Sequence, residues 1–90
     1  MDEPYFIGIK PKALYQLSRL DRQVSELLLR KMLWLARNVE ILQHEALKGQ
    51  WSEYYRWRLG DYRIIYGLEK DERLLTIEGL GHRREVYGGD

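Results

Sequence analysis

The chain contains no cysteine, which excludes disulfides, thiolate nucleophiles and cysteine-ligated zinc and is compatible with a reducing cytosol. Nowhere does it approach the ~18 consecutive apolar residues that a membrane-spanning helix requires. The amino end, MDEPYFIGIK, starts acidic and lacks the apolar centre of a signal peptide. These absences predict a soluble cytoplasmic protein with no membrane partner. A strong charge excess is missing too, since 15 Lys and Arg against 14 Asp and Glu leave a net +1. Overall charge therefore does not mark a polyanion binder. Any cationic site must come from arginines that converge locally while acids gather elsewhere, as in EKDER at 69–73.

Ninety residues, 44% of them hydrophobic and only two of them proline, fit one folded domain spanning 1–90 rather than a disordered chain. Burial in so short a chain is modest, so a permanent partner could contribute to stability. No internal repeat or linker is visible. YFIGI (5–9) reads as a strand with Tyr5, Ile7 and Ile9 on one face. Pro11 suits the first turn of a helix over 11–19, with Leu14 and Leu17 turned inward. A longer helix follows from the N-cap candidate Asp21 to Asn38, with apolar residues over more than half its circumference. Such a wide arc suits a helix packed on a sheet along one edge and on the first helix along another, with part left to dock a partner. Residues 39–50 are open between a helix extension and a loop, with KGQ read as loop.

From there the hydrophobic period becomes two. SEYYRWRL (52–59), DYRIIYGLE (61–69) and RLLTIEGLGH (73–82) read as strands of an antiparallel meander, turning at Gly60-Asp61 and at KDE. The expected fold is α+β, β-α-α-β-β-β, a largely antiparallel sheet with both helices on one face.

Alternation then sorts the arginines. Tyr55, Trp57 and Leu59 share one face with Tyr62, Ile64 and Tyr66, while Arg56, Arg58 and Arg63 share the other. Like charges on adjacent strands repel unless something anionic lies between them. Glu78 or Glu53 could serve, and so could a phosphate chain, which arginine forks and aromatic faces suit equally well. After Gly79 and Gly81 the end of the chain adds His82, Arg83 and Arg84, with Tyr87 close enough to fold back over the same face. Taken singly, each of these has an ordinary surface role.

The run LKGQWSEYYRWRLGDYRIIYGLEKDERLLTIEGLGHRREVY resembles the RelE/ParE superfamily of toxins from toxin–antitoxin pairs, and its RelE-type branch most. The strand and two helices before it fit the same layout. The resemblance implies a ribosome-dependent endoribonuclease that cuts messenger RNA in the ribosomal A site, with no cofactor and no metal, partnered by a cognate antitoxin. It implies that Arg56 and Arg58 grip the scissile phosphate, that Arg63 stabilises the reaction, that Arg83 and Tyr87 complete the catalytic set, and that Lys48 contacts RNA backbone. Arg84 is a further RNA-binding candidate. The ribose 2′-oxygen would attack its own 3′-phosphate, with arginines neutralising the charge that develops. Proton transfer is open among Tyr87, His82, Glu53 and Glu78, since arginine stays protonated. The chain stops three residues after Tyr87, so the terminal helix of some relatives is not expected. Two rivals remain. A ParE-type toxin would poison DNA gyrase by protein contact and cut nothing, and a plain nucleic-acid-binding module would hold phosphate without chemistry.

Overall fold

In the computed structural model, which describes residues 3–88 and side chains through residue 86, the chain begins with β1 (Phe6–Ile9), α1 (Pro11–Ser18) and α2 (Arg22–Asn38). It continues through a 3₁₀ turn at Val39–Ile41, β2 (Glu45–Ala46), a second 3₁₀ turn at Gly49–Trp51, and then β3 (Tyr55–Leu59), β4 (Tyr62–Glu69) and β5 (Leu74–His82). A short helix, α3 (Arg83–Gly88), follows. The strands form one open sheet in the order β1-β5-β4-β3-β2, antiparallel except where β1 runs parallel to β5. No helix among the described residues is long and apolar enough to cross a membrane.

The α+β layout and the meander match the sequence reading, with additions and corrections. The ambiguous stretch 39–50 is neither one helix nor one loop: it carries β2, which extends the sheet beyond β3. Residues 83–88 are helical, contrary to expectation, and Arg83 N–H donates to Asp61 O (2.7 Å), fastening the start of α3 to the β3–β4 hairpin. In α1 the buried residue is Ala13 while Leu14 stays exposed, although Leu17 does pack against the core. Asp21 holds the N-cap position of α2 but makes no side-chain cap bond.

Pro11 starts α1 where its missing N–H goes unnoticed. Leu28, Met32, Leu35 and Ala36 are the buried stripe of α2, and they meet Ile64, Tyr66, Leu75, Ile77 and Leu80 from the sheet. Leu27, Leu29, Leu33 and Trp34 remain exposed, so the other part of the wide apolar arc is open surface. Lys31 Nζ stands 4.1 Å from the Trp34 ring centroid, a cation–π contact over this surface. Gly60 turns the β3–β4 hairpin with φ of +60°, a backbone conformation that costs glycine little.

One buried polar network ties the β2 connection to the core. Tyr66 is fully buried, and its hydroxyl meets His44 Nδ1 at 2.6 Å, while His44 Nε2 meets Val39 O at 2.9 Å. Since a carbonyl only accepts, Nε2 carries the proton and Nδ1 accepts from the phenol. Burial raises the Tyr66 pKa well above the ordinary phenol range, which keeps this donor in place. The stability this confers is complete below the unfolded phenol value of about 10 and is lost as pH rises beyond it. Tyr66→Phe leaves the imidazole acceptor without its donor, and urea unfolding is expected to show a loss of about 1–3 kcal/mol.

Candidate functional site

The cross-strand register places the arginines. Arg58 pairs with Arg63 and Arg56 with Ile65, so all of these lie on the sheet face opposite the core. Two guanidiniums standing opposite each other on neighbouring strands need compensation. It comes from β2, where Glu45 pairs with Arg56 and so shares its face. The Glu45 carboxylate accepts from Arg58 through both oxygens, Nε at 3.2 Å and Nη2 at 2.8 Å, and from Arg56 Nη2 at 3.0 Å. The Arg58 hydrogen bond is the largest cause of a Glu45 pKa below the usual carboxylate value, and the bond to Arg56 adds to it.

Arg63 is held differently. It is buried, and its Nη1 donates to the carbonyls of Gly60 (2.7 Å) and Tyr62 (2.8 Å), so the hairpin that carries the residue also fixes its side chain. A guanidinium braced by neutral carbonyls keeps its full charge while losing rotamer freedom. Arg58, by contrast, has a side chain 57% exposed and can reach a ligand.

Glu45 is the functional candidate that the sequence reading missed. It sits in the stretch between α2 and β3 that showed no clear period, and only its pairing with β3 puts it beside the arginines. The acids named from sequence are placed otherwise. Glu53 is exposed in the turn before β3. Glu78 is on the arginine side of the sheet but lies on β5, with its nearest cation Lys10 at 4.0 Å. The pairing of β4 with β5 steps from Ile65–Gly79 to Tyr66–Ile77, so Glu78 is the extra residue of a bulge.

The remaining candidates are dispersed. His82 pairs with Tyr62 and meets its ring edge-on at 5.8 Å, which puts it on the helix-covered face, away from the arginines. Its Nδ1 accepts from Arg84 N–H at 3.2 Å. Arg83 and Arg84 are exposed in the first turn of α3, and Lys48 is exposed in the connection after β2. Val86 of α3 would lie 3.4 Å from a Cβ at Gly81, the partner of Arg63, so α3 returns over the arginine face. The backbone of Tyr87 belongs to α3, and its side chain lies outside the described residues. No group of three or more His, Cys, Asp and Glu that could hold a metal ion is found among the described residues.

The arrangement offers a fixed buried cation, two further arginines and one carboxylate on an open sheet face. Chemically it can bind an anion, stabilise charge developing on it, and accept a proton beside it.

Comparison with solved structures gives the same fold. The toxin–antitoxin complex RelBE2 of Mycobacterium tuberculosis matches with a TM-score of 0.81 at 20% identity, covering 89% of this chain and 92% of that one. The isolated RelE toxin of E. coli matches at 0.72 and 22% identity, covering 87% and 83%. The archaeal RelE–RelB complex of Pyrococcus horikoshii OT3 matches at 0.73 and 24% identity, covering 90% and 97%. A search of curated proteins finds no matching sequence. The profile of the family described as "ParE toxin of type II toxin-antitoxin system, parDE" matches residues 7–87. The chain therefore belongs to the ParE toxin family of type II toxin–antitoxin systems, within the RelE/ParE superfamily.

Proposed function

We propose that this toxin is of the RelE type, an endoribonuclease that cuts messenger RNA in the ribosomal A site and so inhibits translation in the cytoplasm. The observation that carries the reading is the pairing of Arg56 and Arg58 with the Glu45 carboxylate on the open sheet face, with Arg63 as the cross-strand partner of Arg58 beside them. A protein-contact poison has no need of a carboxylate clamped between arginines beside a braced third one. An RNA-cleaving site can use those groups to hold phosphate, meet developing charge and accept a proton.

In the proposed reaction Arg56 and Arg58 hold the scissile phosphate. Glu45 takes the proton of the ribose 2′-hydroxyl, and the 2′-oxygen forms a bond to phosphorus as the bond to the 5′-oxygen breaks. The departing 5′-oxygen receives a proton from Tyr87, leaving a 2′,3′-cyclic phosphate and a 5′-hydroxyl. Arg63, already fixed by the hairpin, meets the charge on the phosphoryl oxygens without reorganising. His82, turned to the other face, takes no part. Lys48, Arg83 and Arg84, exposed outside the arginine row, would serve as further contacts for RNA backbone. A cognate antitoxin would cover the exposed apolar surface of α2 or the arginine face.

The test is primer extension on messenger RNA in a translation reaction, with and without ribosomes. Codon-phased cuts that require ribosomes are expected from the wild-type chain. Arg63→Ala is expected to lose roughly 10²–10³-fold of that activity, the scale of removing one preorganised stabilising donor. Tyr87→Phe, which removes only the hydroxyl, is expected to abolish it. A chain that kills cells but leaves no cuts would favour the second reading, a toxin that poisons gyrase by protein contact and cuts nothing.

A further inference from the structure

Beside the arginines the open face holds a groove of about 400 Å³ that the reaction above does not use. Its floor is Ile65 and Gly79, and Ile65 is the direct cross-strand partner of Arg56. The groove therefore begins one strand spacing, about 4.8 Å, from the arginine row. Trp51 and Tyr54 provide aromatic surface, their rings 6.3 Å apart and tilted, and Trp51 is more than half exposed. Glu78, thrown out by the β5 bulge, provides a carboxylate, and Gln16 of α1 reaches the groove from the other side.

These polar groups are not equivalent. Gln16 Oε1 accepts the N–H of Leu80 at 2.9 Å, where β5 has run past the end of β1, so the amino half of the amide is what remains to donate. Gly79 leaves the room: a Cβ there would stand 3.3 Å from Gln16 Oε1. The groove thus combines an aromatic wall, an acceptor pair from a carboxylate and an amide donor, one step from a phosphate-binding row.

We propose that this groove is a guanine subsite for the nucleotide whose phosphate Arg56 and Arg58 hold. The inference rests on the RNA reading of the site. A carboxylate needs two adjacent N–H donors, and guanine alone among the four bases presents them together, at N1 and N2, with O6 beside them for the Gln16 amide. Adenine and cytosine place a ring-nitrogen lone pair next to their amino group, and uracil flanks its single N–H with two carbonyls, so each sets a lone pair against Glu78. Stacking on Trp51 or Tyr54 holds any base, and the carboxylate makes the selection.

The experiment is NMR titration of the full ¹⁵N-labelled chain with GMP, AMP, CMP, UMP and guanosine, following the Trp51 indole N–H, the Gly79 amide and the Arg56, Arg58 and Arg63 signals. GMP is expected to shift the groove signals and to bind about tenfold more tightly than the other nucleotides, the discrimination of one well-formed bidentate contact. Glu78→Gln, a change at a partly exposed position, is expected to bring GMP down to the level of the others. Equal affinity for all four nucleotides, or shifts confined to the arginine strands, overturns the guanine subsite and leaves the phosphate site standing. Guanosine binding as tightly as GMP, with Arg58→Ala without effect, supports the subsite and removes the phosphate reading instead. No groove shift with any nucleotide overturns the proposal and leaves the groove to a protein segment.

Discussion

Glu45→Gln is expected to lower ribosome-dependent cleavage by roughly 10²–10⁴-fold, the contribution of a positioned proton acceptor, while RNA affinity holds or rises. The two halves of the prediction have one cause. The amide keeps the size and most of the hydrogen-bonding shape of the carboxylate but cannot accept the 2′-hydroxyl proton. It also withdraws the negative charge that Arg56 and Arg58 share in the free chain, so a phosphate meets less competition for both. A variant that cuts at the wild-type rate would reduce Glu45 to a counter-charge and send the search for the base elsewhere.

The pH profile supplies an independent check. The two arginines hold the Glu45 carboxyl below the usual carboxylate value, so the free protein keeps its base ionised down to a lower pH than an isolated glutamate would. The acid limb of kcat/KM, which reports the free enzyme, should fall below that ordinary value. When a phosphate takes over the arginines the carboxylate loses their support, so the acid limb of kcat should lie higher. Coincident limbs would mean that Glu45 and the phosphate do not share these arginines.

The second large effect concerns stability. Leu28 is fully buried under the sheet, among the largest such side chains, and Leu28→Ala removes its methyl groups from a core with few replacements. A loss of about 2–5 kcal/mol is expected from transfer and cavity terms. A domain of this size has on the order of 5–15 kcal/mol in total, so thermal unfolding should move down by roughly 10–30 °C. Leu33→Ala, on the exposed side of the same helix, should change stability by no more than about 0.5 kcal/mol. Equal losses from both would show that the two sides of α2 are not buried as unequally as described.

Local pattern in the chain was enough for much of this protein. Period-two alternation in β3 and β4 put Arg56, Arg58 and Arg63 on one face and the aromatic and aliphatic residues on the other, because side-chain direction along a strand depends only on residue parity. Pro11 and the apolar spacing of α2 located the helices for equally local reasons.

What parity could not supply was the counter-charge. Glu45 lies 11 residues from Arg56 in sequence, in a two-residue strand too short to show any period, and becomes its neighbour only by pairing with β3. The burial of Arg63 was likewise beyond the sequence, since its bracing carbonyls exist only once the hairpin has closed. The displacement of Glu78 into the groove depended on one extra residue in a strand that otherwise alternated regularly. His82 shows the converse error: adjacency in sequence to Arg83 suggested a shared site, and the strand's pleat turned it to the opposite face. Sequence by itself determined which residues face together within each strand, because that is local geometry. Tertiary structure decided which charges meet, because strand register, bulges and tight turns bring together residues whose separation along the chain carries no signal.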